Sequence, residues 1–404
     1  MKRPPVSPLN GRFSGPRSSA WDIADRAYAL EDSGHDIIHM SIGDPDLDTP
    51  RIIRDAAISA LNNGRTHYSA VPGEMSFRKA VAEHASRMYG KPVHVDQVVI
   101  APGAQPALFA AFTCIAGPEH EVILLEPSYA TYEGAAAAGG ARVVSVQLDS
   151  DHGFALDLLA IEAAITDKTA AILLNSPGNP TGKVFSREEV SALLRLAKEH
   201  GIWLVCDEVY YSYVYDGRHI SPFELDDADE HVIVVNSVSK AFAMTGWRIG
   251  WVIAPPHVAT AIANLSQCSI FGVAQFSQDA AIVALEQAQG DSDAFRAIFH
   301  RRRDTLCSSL KQVEGMTVHQ PAGGIFLLAD ISSSGMESKA FANALLDSTG
   351  VSVVPGYAFG QDCDRFIRLG FLQKEDLLVK ASDRIAHFMG SLRSTGLSPL
   401  RALN

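Results

Sequence analysis

Lys240 closes the run Ser237-Val238-Ser239-Lys240, and Arg248 follows in Ala241-Phe242-Ala243-Met244-Thr245-Gly246-Trp247-Arg248. A lysine that does chemistry near neutral pH must shed its proton, which takes partial desolvation or a neighbouring cation. Arg248 is a permanent cation whose planar donors suit a phosphate. Together they suggest a Schiff-base lysine beside a phosphate-bearing cofactor. Taken alone, S-x-x-K describes an ordinary loop lysine equally well.

Two further stretches carry partners of suitable type. Asn175-Ser176-Pro177-Gly178-Asn179-Pro180-Thr181-Gly182 offers an amide, and Asp207-Glu208-Val209-Tyr210 a carboxylate and a phenol. Each also has an ordinary use: Asn-Pro-Thr-Gly makes a good turn, Asp207 can cap a helix, and Tyr210 can pack in a core. Pro102-Gly103-Ala104-Gln105 is a glycine-bearing turn ahead of an apolar segment, the geometry that offers backbone N–H groups to a phosphate. Chemistry is the better reading only if all four stretches meet.

The hydrophobic pattern brings them together. Strand-like runs at 97–100, 121–125, 142–146, 170–174, 202–206 and 231–235 alternate with helical patterns, among them 51–62, 76–89, 107–116, 132–139 and 156–165. Ser186-Arg187-Glu188-Glu189 is a capping box that opens another helix, with Gly201 as its stop. Such alternation predicts a mostly parallel sheet covered on both faces, with ligands beyond the carboxyl ends of its strands. The four stretches each follow a strand end and so share one edge.

Beyond Leu265 the pattern changes. A long helical stretch at 278–310, interrupted near Gly290-Asp291, precedes short strands at 316–319, 325–330, 351–354 and 366–369 and helices at 339–348 and 374–392. This reads as a smaller α+β unit, joined by the N-terminal residues. Residues 1–20 read as a mobile arm, 20–30 as a helix, and 41–50, rich in Asp, Pro and Gly, as a hinge-like crossing.

The 404 residues are 47% hydrophobic and 20% charged, enough for a large core. A net charge of -12 argues against a nucleic-acid partner, and Arg301-Arg302-Arg303 is expected on a solvated helix face. The first twenty residues, rich in Pro, Ser and Arg, do not resemble a secretory signal, the apolar run at 107–116 is too short to span a membrane, and the five cysteines include no C-x-x-C. A cytoplasmic location is expected. His35 and His39 have i,i+4 spacing but no third ligand in view, so no metal is expected.

With these residues in hand, the chain resembles the class I/II aminotransferases, pyridoxal-phosphate enzymes of fold type I. The likeness runs through Gly43-Asp44-Pro45-Asp46, Asn179-Pro180-Thr181-Gly182, Asp207-Glu208-Val209-Tyr210, Ser237 to Lys240 with Arg248, and Arg368 in Phe366-Ile367-Arg368-Leu369-Gly370-Phe371. It implies an α/β fold: a large pyridoxal-phosphate-binding domain at 51–288 on a mostly parallel seven-stranded sheet, a C-terminal small domain at 289–404, and an arm at 1–50 that completes the latter. It also implies a homodimer with shared active sites.

Residue by residue, the resemblance makes Lys240 the lysine that carries the cofactor and moves the substrate proton. Asp207 would pair with the ring nitrogen, and Tyr210 and Asn179 with the phenolic oxygen. Gly103, Ala104, Gln105, Ser237 and Arg248 would hold the phosphate, joined by Tyr68 of the partner subunit. Tyr129 would stack on the ring, and Arg368 would clamp the substrate carboxylate beside Gly43. Gln105 stands where the aspartate-using bacterial branch carries a lysine, which weakens an aspartate assignment.

The leading expectation is transamination from an L-amino acid to a 2-oxo acid. A C–S β-lyase on the same scaffold and an aspartate or aromatic aminotransferase are the alternatives. A pyridoxal-phosphate-binding regulator is not expected, since the nineteen residues before Ala20 are too few for a DNA-binding domain. Within the family the likeness is greatest to bacterial arginine–pyruvate transaminases, through Ala20-Trp21-Asp22-Ile23, Thr66-His67-Tyr68, Gly103-Ala104-Gln105 and Ala243 to Arg248. Trp21 and Asp22 are then candidates to meet a guanidinium donor, although a packing tryptophan and a helix-opening acid explain them as well.

Overall fold

A computed structural model describes residues 7–13, 16–225, 228 and 230–394. The arm expected at 1–20 therefore lies partly outside the described residues; Pro16–Trp21 is a 3-10 turn, and the first α-helix is Asp22–Asp32. The central sheet has seven strands in the spatial order Val98–Ala101, Gly250–Ile253, Val232–Ser237, Trp203–Asp207, Thr169–Asn175, Glu121–Glu126, Arg142–Gln147. Gly250–Ile253 runs antiparallel to both its neighbours, and the remaining pairings are parallel.

Burial explains the near-continuous apolar runs of these strands. Val232 and Val234 face one core with Phe77 and Leu193, while Ile233 and Val235 face another with Leu108 and Phe112. Helices cover both sides, so the alternation is between two buried faces rather than between core and water. The helix Arg187–His200 has the expected capping box, Glu189 N–H donating to Ser186 Oγ at 3.2 Å and Ser186 N–H to Glu189 Oε2 at 2.8 Å, and ends on left-handed Gly201.

A second, antiparallel sheet joins Val354–Pro355, Phe366–Gly370, Phe326–Asp330 and Thr317–His319. It shares a third core with the helices Gln289–Leu310, Ser338–Thr349 and Glu375–Ser394, through Phe299, Leu306, Phe341, Leu345 and Ile385. The strand expected at 351–354 is two pieces. Val351–Ser352 pairs in parallel with Ile38–His39, and Val354–Pro355 belongs to the four-stranded sheet.

Further expectations are corrected. The helical stretch at 278–310 is two helices, Gln275–Gln287 and Gln289–Leu310, that break at Ala288. Arg302 and Arg303 are buried, not solvated. Arg302 grips Asp46 through two bonds, 2.6 and 3.0 Å, and Arg303 reaches Asp216 at 2.5 Å. Both guanidiniums could leave water because a carboxylate that itself stays exposed, Asp46 or Asp216, pairs with each. His39 Nε2 lies 3.1 Å from Glu31, and His35 Nδ1 3.1 Å from the Leu30 carbonyl. All five cysteines are unpaired, and no described helix is long and apolar enough to cross a membrane.

Candidate active site

The register of the large sheet lines up the strand-end groups. Asn175 pairs with Asp207, and Asp207 with Val235; on the far side Ser237 pairs with Gly250, and Gly250 with Ala101. The carboxyl ends open on a cavity of about 370 Å³. Its lining includes Trp21, Gly43, Ala104, Gln105, Tyr129, Asn179, Asp207, Tyr210, Ser237, Lys240, Arg248 and Arg368. Three predicted residues stand outside that lining: Gly103 directly before the helix at its rim, the exposed Asp22, and Tyr68. Tyr68 is 80% exposed, with its ring 5.1 Å from that of Phe271.

One end of the cavity is built from donors. The helix Ala104–Ile115 starts there, and its first turn offers the N–H groups of Ala104 and Gln105, because the first backward bond is Ala107 N–H to Gly103 O at 3.3 Å and Pro106 has no N–H. Gly103 has φ +103°, and a Cβ there would lie 2.3 Å from Arg248 Nη2. A Cβ on Gly250 would lie 2.7 Å from the Gly103 carbonyl carbon, so this glycine lets the turn settle onto the sheet edge. Arg248 donates to the Thr245 carbonyl at 2.6 Å and the Pro102 carbonyl at 3.1 Å. With the Ser237 hydroxyl nearby, a helix N-terminus, a guanidinium and a hydroxyl converge, as an anion requires.

The other groups carry charges that burial makes uncomfortable. Lys240 Nζ donates to the Gly43 carbonyl at 2.5 Å. Burial pulls its pKa down to about 8, Arg248 and Arg368 adding to the shift and Asp44 and Asp207 opposing it. Burial likewise pushes Asp207 up to about 6, with Glu208 adding, although the Tyr132 hydroxyl at 2.7 Å and Val209 N–H at 3.1 Å favour its anion. Tyr210 is buried, which raises its pKa, and its hydroxyl has no hydrogen bond among the described residues.

Arg368 is 1% exposed, with its guanidinium carbon 3.9 Å from the centre of the Phe326 ring. It donates to Asn179 Oδ1 at 3.0 Å and the Ser41 carbonyl at 2.7 Å, and its Nε has no partner. No carboxylate pairs with it among the described residues, and burial lowers its pKa to about 10. A buried cation without an anion is costly to keep and prepares a place for one.

Sequence reasoning missed Tyr132, which holds Asp207, and Thr131, whose hydroxyl donates to Gln105 Oε1 at 2.8 Å. Tyr129 and Tyr132 are three residues apart in the turn that leads into the short helix Tyr132–Ala136; Tyr132 N–H donates to the Tyr129 carbonyl at 3.0 Å and their ring centres lie 5.5 Å apart. That spacing was the available signal.

Comparison with known proteins identifies the family. The family model for aminotransferase class I and II matches residues 35–385. The arginine–pyruvate transaminase of Pseudomonas aeruginosa is 42% identical over 94% of this chain and 97% of its own. The aspartate/prephenate aminotransferase of Thermus thermophilus is 37% identical over 95% of this chain and 99% of its own. Among solved structures, the Thermus aspartate aminotransferase with maleate superposes with a TM-score of 0.90 at 36% identity, over 95% of this chain and 100% of the other. That of Rhizobium meliloti gives 0.91 at 31%, over 96% and 99%.

The chain belongs to the aminotransferase class I and II family, and it is a pyridoxal-phosphate-dependent transaminase of fold type I. Its own residues fit the cofactor. The bare Gly103 lets the Arg248 guanidinium close on the donor end, and Lys240, with its lowered pKa, and the buried Asp207 line the same cavity.

Proposed function

We propose that this transaminase takes the amino group of a basic L-amino acid, arginine first among candidates, and passes it to a 2-oxo acid such as pyruvate. Arg368 carries the substrate reading: a buried guanidinium that lacks a carboxylate suits the α-carboxylate shared by amino acids and 2-oxo acids. Its contact with Asn179 keeps the fork in place.

When bound, pyridoxal phosphate supplies an electron sink conjugated to the substrate Cα. The chain supplies positioning and proton transfer. Lys240, with its pKa lowered to about 8, gives up its proton far more readily than an ordinary lysine. Its Nζ takes the proton from the amino-acid Cα and later returns one. Asp207, steadied by Tyr132, would keep the ring nitrogen protonated, and Tyr210 and Asn179 would donate to the phenolic oxygen. Tyr129 would cover the ring, and Ala104, Gln105, Ser237 and Arg248 would hold the phosphate.

The donor reading rests on the Pseudomonas relative and on a neutral Gln105, which places no cation where an acidic side chain would want one. Trp21 lines the cavity and offers an aromatic face. Asp22 does not line it, so Asp44, which does, replaces it as the carboxylate offered to a cationic side chain. A panel of amino donors against pyruvate and 2-oxoglutarate tests this. Preference for aspartate or aromatic donors would overturn the arginine reading. Sustained turnover of one amino acid without an oxo acid would point instead to a lyase.

A homodimer is part of the proposal, with Tyr68 completing the phosphate site of the neighbouring subunit. The exposed Tyr68 and Phe271 outside their own cavity support it. Mixing inactive Tyr68→Phe and Lys240→Ala chains should restore activity in verified heterodimers; none regained would reject the shared site. Residues 51–288 and 289–404 are proposed as the two domains, supported by the break at Ala288 and the change of core there. A cytoplasmic location accords with five unpaired cysteines.

A further inference from the structure

Glu126 is wholly buried at the end of its strand, beside the cavity wall yet outside the chemistry. Ser145 Oγ donates to its Oε1 at 2.6 Å and Gln147 Nε2 to its Oε2 at 2.9 Å. The remaining partner comes from the N-terminal segment: Arg17 Nη2 forms an ion pair with Oε1. Arg17 also reaches Ser128 Oγ at 3.4 Å and Glu133 Oε2 at 3.2 Å, so one guanidinium ties three points along 126–133. Even Gly360 leaves room for this group, since a Cβ there would lie 2.5 Å from Glu126 Oε2.

The same two segments meet again at the cavity. Trp21, four residues past Arg17, rests edge-on against Tyr129 with ring centres 6.1 Å apart, and both line it. Ser19 Oγ and Tyr357 Oη are 2.7 Å apart, and Ser128 N–H donates to the Phe359 carbonyl at 2.8 Å. Phe359 in turn lies against the Arg368 guanidinium at 5.2 Å. A buried carboxylate that loses its cation must find another partner or move, and here moving means shifting the loop that presents Tyr129.

We propose that Arg17 and Glu126 are positioning residues for this transaminase: their buried ion pair fastens segment 16–21 to the 126–133 loop and so holds Trp21 and Tyr129 as one wall of the substrate cavity. This rests on the proposed site but not on the identity of the donor.

The test combines hydrogen–deuterium exchange and steady-state kinetics on the holoenzyme of wild type, Arg17→Met, Arg17→Lys, Glu126→Gln and the double variant Arg17→Met/Glu126→Gln. Exchange should quicken at least about tenfold in 16–21 and 126–132 together in Arg17→Met, with the four-stranded sheet unchanged. The donor KM should rise more than kcat falls. Arg17→Lys should restore much of both, and the double variant should be no worse than the poorer single one, because the second change removes a partner already lost.

Exchange in 126–132 and KM both within twofold of wild type in Arg17→Met would overturn the proposal. So would quickened exchange throughout the molecule, or no recovery with lysine. If Arg17→Met does not fold, Glu126→Gln against Arg17→Lys decides by the same readouts. A donor panel that rejects arginine would leave this result standing, whereas loss of all transamination in wild type would remove the reading beneath it.

Discussion

Two buried regions hold arginines in opposite circumstances. On the helix Gln289–Leu310, Arg302 grips Asp46 through two bonds and also donates to the Leu372 carbonyl at 2.6 Å, while Arg303 pairs with Asp216 and Asp304. On the strand Phe366–Gly370, Arg368 is as deeply buried but meets an amide, a carbonyl and aromatic faces, with no carboxylate. The first arrangement is closed, because each buried guanidinium is met by a carboxylate of the chain itself, although those carboxylates stay exposed. The second is open, and Lys240 and Asp207 share that condition, each pushed by burial toward its neutral form. Buried charges answered by the chain's own carboxylates mark architecture; buried charges left open mark where a ligand completes the structure.

That contrast can be broken from either side. The largest effect is expected for Lys240→Ala, where turnover should fall by about four orders of magnitude or more while circular dichroism is unchanged and the unfolding midpoint of the cofactor-free protein does not fall, since the change removes a cation that burial disfavours. Near-normal turnover would remove the lysine from the chemistry.

Asp207→Asn should lower kcat about a hundredfold or more, yet stabilise the cofactor-free protein at pH 8. The sign follows from its raised pKa. Between the ordinary 3.8 and about 6 the folded chain holds a proton here that the unfolded chain has released, so stability falls as pH rises through that window and stays lower above it. Removing the acid should recover on the order of 3 kcal/mol at pH 8 and little near pH 3. Urea titrations at the two pH values check this, and a variant less stable at pH 8 would show that the carboxylate is answered inside the fold after all.

Asp46→Asn takes the answering charge from Arg302. It should cost on the order of 3 kcal/mol of stability and leave kcat within about threefold, read from urea unfolding and steady-state rates. The smallest effect concerns Asp44, exposed at the cavity and accepting from Thr245 Oγ1 at 2.6 Å. Asp44→Asn should raise the KM for arginine about fivefold and leave that for alanine unchanged, since only the cationic side chain loses a partner.

The open region was the more legible in sequence. Asn175, Asp207 and Ser237 end parallel strands whose apolar runs announce themselves, and the reactive residues follow at short spacings. Gly250–Ile253, the seventh strand, was not read from the pattern: four residues opening on glycine and buried on both faces carry no period. The strand at 351–355 looked continuous because its division is set by partners elsewhere, Ile38–His39 for one half and Phe366–Gly370 for the other. Arg302 and Arg303 looked like surface charge because Asp46 and Asp216 are far away in sequence, and pairing over such distances leaves no local trace. Asp22 was drawn toward the substrate by its neighbour Trp21, but only the tryptophan lines the cavity.

The contrast is tested most directly by replacing one arginine of each kind, Arg368→Gln and Arg302→Gln, and measuring for both the urea unfolding free energy without cofactor and the donor KM with it. Arg368→Gln is expected to keep stability within about 1 kcal/mol and raise KM about a hundredfold, the worth of a charge-assisted clamp, whereas Arg302→Gln should lose on the order of 3 kcal/mol and change KM little. Equal destabilisation by the two, with KM within twofold of wild type for Arg368→Gln, would contradict the reading of Arg368 as a charge held open for substrate.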